Sequence, residues 1–165
     1  MNDSAPQPFC QDIRIRPVEA AHVGDLIRIA EETRLSPWTA KCYLDEMKNP
    51  DSVLLRLVAA DNRSIGFVVG RLVPGSEIGA RMDAEIYNIA IGETLQKRGL
   101  GQLLFNAFES ACRMREVANI WLEVRESNER AIAFYEKNGF ARVQTRNHFY
   151  NDPREHALLM KLRLT

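Results

Sequence analysis

Glu85-Ile86-Tyr87-Asn88-Ile89-Ala90-Ile91, followed after four residues by Gln96-Lys97-Arg98-Gly99-Leu100-Gly101, decides how the rest of this chain is read. The first run is apolar and rich in residues that favour a strand. The second is a glycine turn that opens into an amphipathic segment from Gln102 to Glu116. A strand feeding a glycine turn at a helix start is an anion site. Backbone N–H groups without partners and the positive end of the helix converge there. Lys97 and Arg98 add two cations to the same turn. The stretch therefore implies a phosphate or pyrophosphate held mainly by main chain. A Walker-type loop is excluded, because no glycine is followed four residues later by Gly-Lys-Ser/Thr. A dinucleotide fingerprint is excluded too, because Leu104 stands where its third glycine would be. The glycines alone could equally just shape a tight turn, so their surroundings decide.

Working outward, Asp12–Arg16 alternates and reads as a short strand closed by Pro17, after a flexible tail over residues 1–11. Val23, Leu26, Ile27 and Ala30 recur at helical spacing and predict a helix over Glu19–Glu31. Thr39 caps a second helix that reaches Lys48. Ser52–Ala60 and Ile65–Val73 are strands joined by a hairpin turn at Asp61-Asn62-Arg63-Ser64. Pro74–Asp83 reads as a surface loop. Beyond the glycine turn and its helix, Ala118–Val124 is a strand apolar enough to lie inside a sheet. Ser127 or Asn128 caps a helix carrying Ala131, Ile132 and Tyr135, which ends at Asn138-Gly139. Phe140–Phe149 and His156–Leu164 close the chain as two strands. The order is β-α-α-β-β-β-α-β-α-β-β, one mixed α/β domain over residues 12–165.

Composition sets bounds. At 165 residues the chain suits one domain with a sizeable core. Lys plus Arg and Asp plus Glu are 22 each, so bulk electrostatics does not drive nucleic-acid binding. Cys10, Cys42 and Cys112 are far apart and odd in number, and no metal-ligand spacing occurs; neither a disulfide framework nor a metal site is expected. No signal peptide or membrane span is evident, and a cytoplasmic protein is expected. The sequence leaves the oligomeric state open.

A second segment, Trp121-Leu122-Glu123-Val124-Arg125-Glu126-Ser127-Asn128, adds chemistry. Glu123 lies near the end of an apolar strand, where an acid is costly unless solvated or paired. That is where an α/β sheet opens its ligand crevice. If the strands of Ile91 and Glu123 are neighbours, the glycine turn, Glu123, Asn128 and Tyr135 share one mouth. Singly, each residue has a plainer account. Glu123 could pair with Arg125, Asn128 could be only a cap, and Tyr135 could be only core. His22, His148 and His156 read as peripheral, and Cys112 as packing.

Together these residues resemble the GNAT acetyltransferase superfamily. Gln96 to Gly101 matches its Q/R-x-x-G-x-G/A loop. Asn88-Ile89-Ala90-Ile91, Trp121-Leu122-Glu123-Val124-Arg125, Ser127-Asn128, Ala131-Ile132, Tyr135, Gly139-Phe140 and Arg146-Asn147 resemble the RimI-type N-terminal acetyltransferases. Pro37-Trp38 resembles an element that this subfamily carries near its substrate mouth. The resemblance implies a GNAT fold with a mostly antiparallel sheet flanked by helices, and acetyl-CoA as co-substrate without a metal. It implies that Ile89, Ala90 and Ile91 face the pantetheine arm. Gln96, Lys97, Arg98, Gly99, Leu100, Gly101 and Gln102 would cradle the pyrophosphate, and Asn128 would contact the cofactor. It implies Glu123 as proton acceptor and Tyr135 as proton donor to the departing thiolate.

The implied acceptor is a protein N-terminus, a ribosomal protein among the candidates, with no direct nucleic-acid or membrane partner. A lysine side chain, a small amine, or acyl-CoA binding without transfer are the alternatives. His148-Phe149-Tyr150 and Glu155-His156 depart from the subfamily, on the acceptor side. The 74–83 segment is longer than usual and could add to the acceptor groove. Glu31, Glu32, Asp45 and Glu46 could supply acid for a basic acceptor, although a solvated helix face explains them equally.

Overall fold

A computed structural model describes residues 13–75 and 81–164. Seven strands form one sheet in the order β1-β2-β3-β4-β5-β7-β6. They are β1 (Arg14–Pro17), β2 (Ser52–Val58), β3 (Ser64–Val73), β4 (Asp83–Ile91), β5 (Asn119–Arg125), β6 (Ala141–Asn151) and β7 (Arg154–Arg163). The helices are α1 (Val23–Glu32), α2 (Ala40–Met47), α3 (Leu100–Met114) and α4 (Glu129–Lys137). Every predicted element is present in the predicted order. All strand pairs are antiparallel except β4 with β5.

The sheet is buried on both faces at its centre, which is why β3 reads as a continuous apolar run. Ile65, Val68 and Leu72 pack with Leu104, Phe105 and Phe108 of α3 on one side. Phe67 and Val69 pack with Leu26, Ile29 and Tyr43 of α1 and α2 on the other. At the rim, β6 is exposed along nearly its whole length.

Several boundaries differ from expectation. The first helix begins as a 3-10 turn, Ala20–His22, with Glu19 and His22 capping each other, and becomes α-helical at Val23. The helix after the glycine turn starts at Leu100, two residues early, because Gly99 takes φ +76° and turns the chain without a linker. Asp83 is not loop: it is buried and begins β4. The tail over residues 1–11 and the middle of the 74–83 loop lie outside the described residues. Glu46 is not on a solvated face. It is 4% exposed, paired with Arg71 and accepting from Ser52 Oγ.

Candidate active site

The parallel strands β4 and β5 pair only over Ala84–Ile86 and Ile120–Leu122. Beyond that point they part. The cause lies in β4, where Asn88 pairs with Val69 and Ile86 with Gly70, leaving Tyr87 as an extra residue. Such a bulge bends its strand and breaks the ladder. Gly70 permits it: a Cβ there would sit 2.4 Å from the Glu85 carbonyl and 2.7 Å from the Phe108 ring. The closed end of the fork is locked by Asp83, which accepts from Asn119 Nδ2 and Trp121 Nε1, both at 2.8 Å.

Two cavities fill the fork and share the wall formed by Thr33, Leu35, Ile89, Asn128, Ala131 and Tyr135. One, of about 640 Å³, runs along the glycine turn. The other, of about 440 Å³, is lined by the aromatic residues Trp38, Tyr87, Trp121, Phe149 and Tyr150.

Ile89, Ala90, Ile91, Gln96, Lys97, Gly99, Leu100, Gly101 and Gln102 all line the glycine-turn chamber. Arg98 is in the turn but not on that wall. Among the described residues no side chain caps α3, so the first N–H groups of its opening turn lack helical acceptors. The side chains of Gln96 and Gln102 are engaged elsewhere. Gln96 donates to the Ile91 carbonyl at 3.0 Å and accepts from Arg130 at 2.7 Å. Gln102 donates to Asn138 Oδ1 at 2.6 Å and so ties α3 to the end of α4. The turn therefore offers main chain, as its glycines imply. Its open N–H groups suit a phosphate-bearing ligand. Asn128 caps α4, its Oδ1 accepting from Ala131 N–H at 3.1 Å, and it lines both chambers.

Glu123 projects into the aromatic chamber from the tip of β5 and is a quarter exposed. Its partner is Arg146 of β6, not Arg125. Arg125 instead pairs with Glu155 at 3.3 Å and lies 4.1 Å over the Tyr150 ring. Arg146 similarly lies 4.8 Å over Phe149. Two guanidinium groups, each shared between an acid and a ring, build the β6–β7 wall. Glu155 is held below the usual carboxylate range by hydrogen bonds from Ser127 and by Arg125.

Tyr135 is 7% exposed, packed against Phe134 and Phe140. Its hydroxyl makes no hydrogen bond among the described residues. Burial, and then the nearby Tyr150, push its pKa well above the ordinary value, so the phenol keeps its proton. Tyr150 and Tyr87 are likewise raised by burial; Arg125 and Arg71 respectively oppose the shift.

Glu123, Asn128, Tyr135 and the glycine turn thus share one cleft. Sequence reasoning placed Tyr150 on the acceptor side but assigned no place in the wall to Arg146, Tyr87 and Asn88. Arg146 lies 23 positions from Glu123 and meets it only through the β5-β7-β6 order. The two histidines are not lone: His148 N–H donates to His156 Nδ1 at 3.0 Å, pinning a bulge in β6 where His148 takes φ +53°. Among the described residues no cluster of His, Cys, Asp or Glu could hold a metal, and no helix is long and apolar enough to cross a membrane.

The sequence model of the Acetyltransferase (GNAT) family matches residues 23–140. The ribosomal protein bS18-alanine N-acetyltransferase of Haemophilus influenzae is 34% identical over 152 residues, spanning 88% of this chain and 95% of that protein. Its Salmonella typhimurium namesake is 32% identical over 138 residues, spanning 82% and 86%. The crystal structure of the Escherichia coli ribosomal-protein-S18-alanine N-acetyltransferase aligns with a TM-score of 0.81 at 28% identity, covering 93% of this chain and 95% of that one.

Proposed function

The chain belongs to the GNAT acetyltransferase family, and on that premise we propose that this acetyl-CoA-dependent enzyme acetylates the N-terminal α-amine of a protein. A ribosomal protein in the cytoplasm, beginning with a small residue, is the favoured acceptor, as the names of the relatives suggest. The observation that carries this reading is the double cleft. One chamber offers main-chain donors for a phosphate-bearing arm. The other is a separate approach for a peptide, and Tyr135 belongs to both.

Acetyl-CoA supplies the acetyl group as a thioester. Leu100 and Gly101, with Lys97 beside them, hold its pyrophosphate at the start of α3. Ile89, Ala90 and Ile91 offer the free edge of β4 to its arm, and a main-chain N–H there polarises the reacting carbonyl. Glu123 has one carboxylate oxygen on Arg146 and the other for the acceptor's proton, taken directly or through water. One carboxylate suffices, because an α-amine has an unperturbed pKa of about 7.7–8.0 against about 10.4 for lysine. Tyr135, kept protonated by burial, donates to the departing sulfur.

The test is to incubate the protein with acetyl-CoA and a peptide library varied at its first residues, then to locate the acetyl group by mass spectrometry. Acetyl on N-terminal amines is expected. Acetyl only on internal lysines would overturn the reading.

A further inference from the structure

Among the described residues, Asn88 carries the one buried amide of the aromatic chamber that has no partner. It is 6% exposed and lines the chamber between Tyr87 and Ile89. Its Nδ2 makes no hydrogen bond, and no bond to its carboxamide occurs among the described residues. A buried polar group left in that state loses its hydration with nothing in return, and buried polar side chains are almost always paired. Leucine or valine would serve better at a packing position in β4. The bulge explains the placement. With Tyr87 inserted, Asn88 comes next after the parting of the strands and immediately before Ile89, which both chambers share.

The group therefore waits beside the point where acceptor and acetyl donor meet. A carboxamide N–H binds an oxygen, and the acceptor's reactive amine offers none. The nearest oxygen on a peptide acceptor is the carbonyl of its own first residue. A lysine side chain or a simple amine has no such oxygen near its nitrogen. We propose that Asn88 is an acceptor-binding residue whose Nδ2 donates to the carbonyl oxygen of the acceptor's first residue. On this assignment, Asn88 distinguishes a peptide N-terminus from other amines. The assignment rests on the N-terminal reading above and adds to it the contact that reads the peptide.

The test pairs a protein change with a substrate change. Wild type, Asn88→Leu and Asn88→Ala are assayed on a short peptide. They are also assayed on its analogue with an alkene in place of the first peptide bond, which lacks that carbonyl, and rates are compared per unprotonated amine because the analogue's amine is more basic. Thermal melts and acetyl-CoA titrations verify that each variant is folded and loaded. Wild type is expected to prefer the peptide about tenfold in kcat/KM, the scale of one buried hydrogen bond. Both variants are expected to lose that preference and still bind acetyl-CoA as wild type does. Variants that still prefer the peptide as strongly as wild type would overturn the assignment alone. Failure of wild type to acetylate any peptide N-terminus would overturn the functional reading and the assignment with it.

Discussion

Arg146 reaches over β7 to Glu123 and donates from Nη1 to Oε1, so the acid at the tip of β5 has one oxygen engaged and one left over. Glu123→Gln is expected to lower kcat on the order of 100-fold, the lower range for a general base. Acetyl-CoA affinity should not change, since Glu123 lines only the aromatic chamber. Arg146→Ala should cost less, about tenfold, through a misplaced carboxylate rather than a missing one. Steady-state rates with calorimetric titration of acetyl-CoA check both. Normal turnover in Glu123→Gln would remove the role.

Tyr135→Phe removes one hydroxyl and keeps the ring that packs on Phe134 and Phe140. Its melting temperature should stay within a few degrees of wild type, while kcat falls on the order of 100-fold. A large loss of stability with normal kcat per folded molecule would mark Tyr135 as core alone.

Gly99 and Gly101 should separate fold from binding. A Cβ on Gly99 meets nothing within 4 Å, but φ +76° strains any other residue, by about 1 kcal/mol for alanine. Gly101 has ordinary helical placement and 4.0 Å of clearance to Phe134. Gly101→Ala should therefore melt like wild type or above it, yet raise the KM for acetyl-CoA. Gly99→Ala should do both harms. Unchanged KM in Gly101→Ala would mean that no ligand approaches that backbone.

Asp83→Ala strips the acceptor from Asn119 and Trp121 at the closed end of the fork. Leaving the buried Asn119 donor unpaired costs about 1–3 kcal/mol, and the half-buried Trp121 less, so denaturant unfolding should show a loss of that order. A loss under 1 kcal/mol would show that water replaces the carboxylate.

Alkaline pH should unfold this protein earlier than its neutral stability suggests. Burial pushes the Tyr43 phenol from 10.0 up to about 12 and the Cys112 thiol from 9.0 up to about 12. The unfolded chain releases these protons near the ordinary values, while the folded chain retains them. Stability is therefore whole below about pH 9 and falls as pH rises from there to about 12, by up to about 1.4 kcal/mol per unit for each group. Urea midpoints measured from pH 7 to 11 check this; a flat series would contradict it.

Local signals carried most of the fold. Period-2 and period-3.6 patterns, the Thr39 and Asn128 caps and the glycine turn located every element to within a few residues. The site was legible where its residues sit in one motif, as from Gln96 to Gln102. It was illegible where contact depends on strand order or register. The Arg146–Glu123 pair and the His148–His156 pair exist only because β6 lies beside β7. Glu46 looked solvated because its cation, Arg71, is 25 positions away on another element. The bulge at Tyr87 leaves no mark in an apolar strand, so the depth of the fork could not be read.

That fork has a consequence for the protein's lifetime. Beyond Ile86, β4 has no neighbour on its β5 side among the described residues, and the sheet is one strand short there. Open strand edges normally lie at a rim, where foreign chains can pair with them. This one faces inward, walled by α4 and the segment after α1, so only a slender guest rich in amides can complete it. Acetyl-CoA at 100 times its Kd would add about 2.7 kcal/mol to folding. Resistance to proteolysis is then expected to rise with acetyl-CoA concentration, because the guest supplies the strand that the sheet lacks.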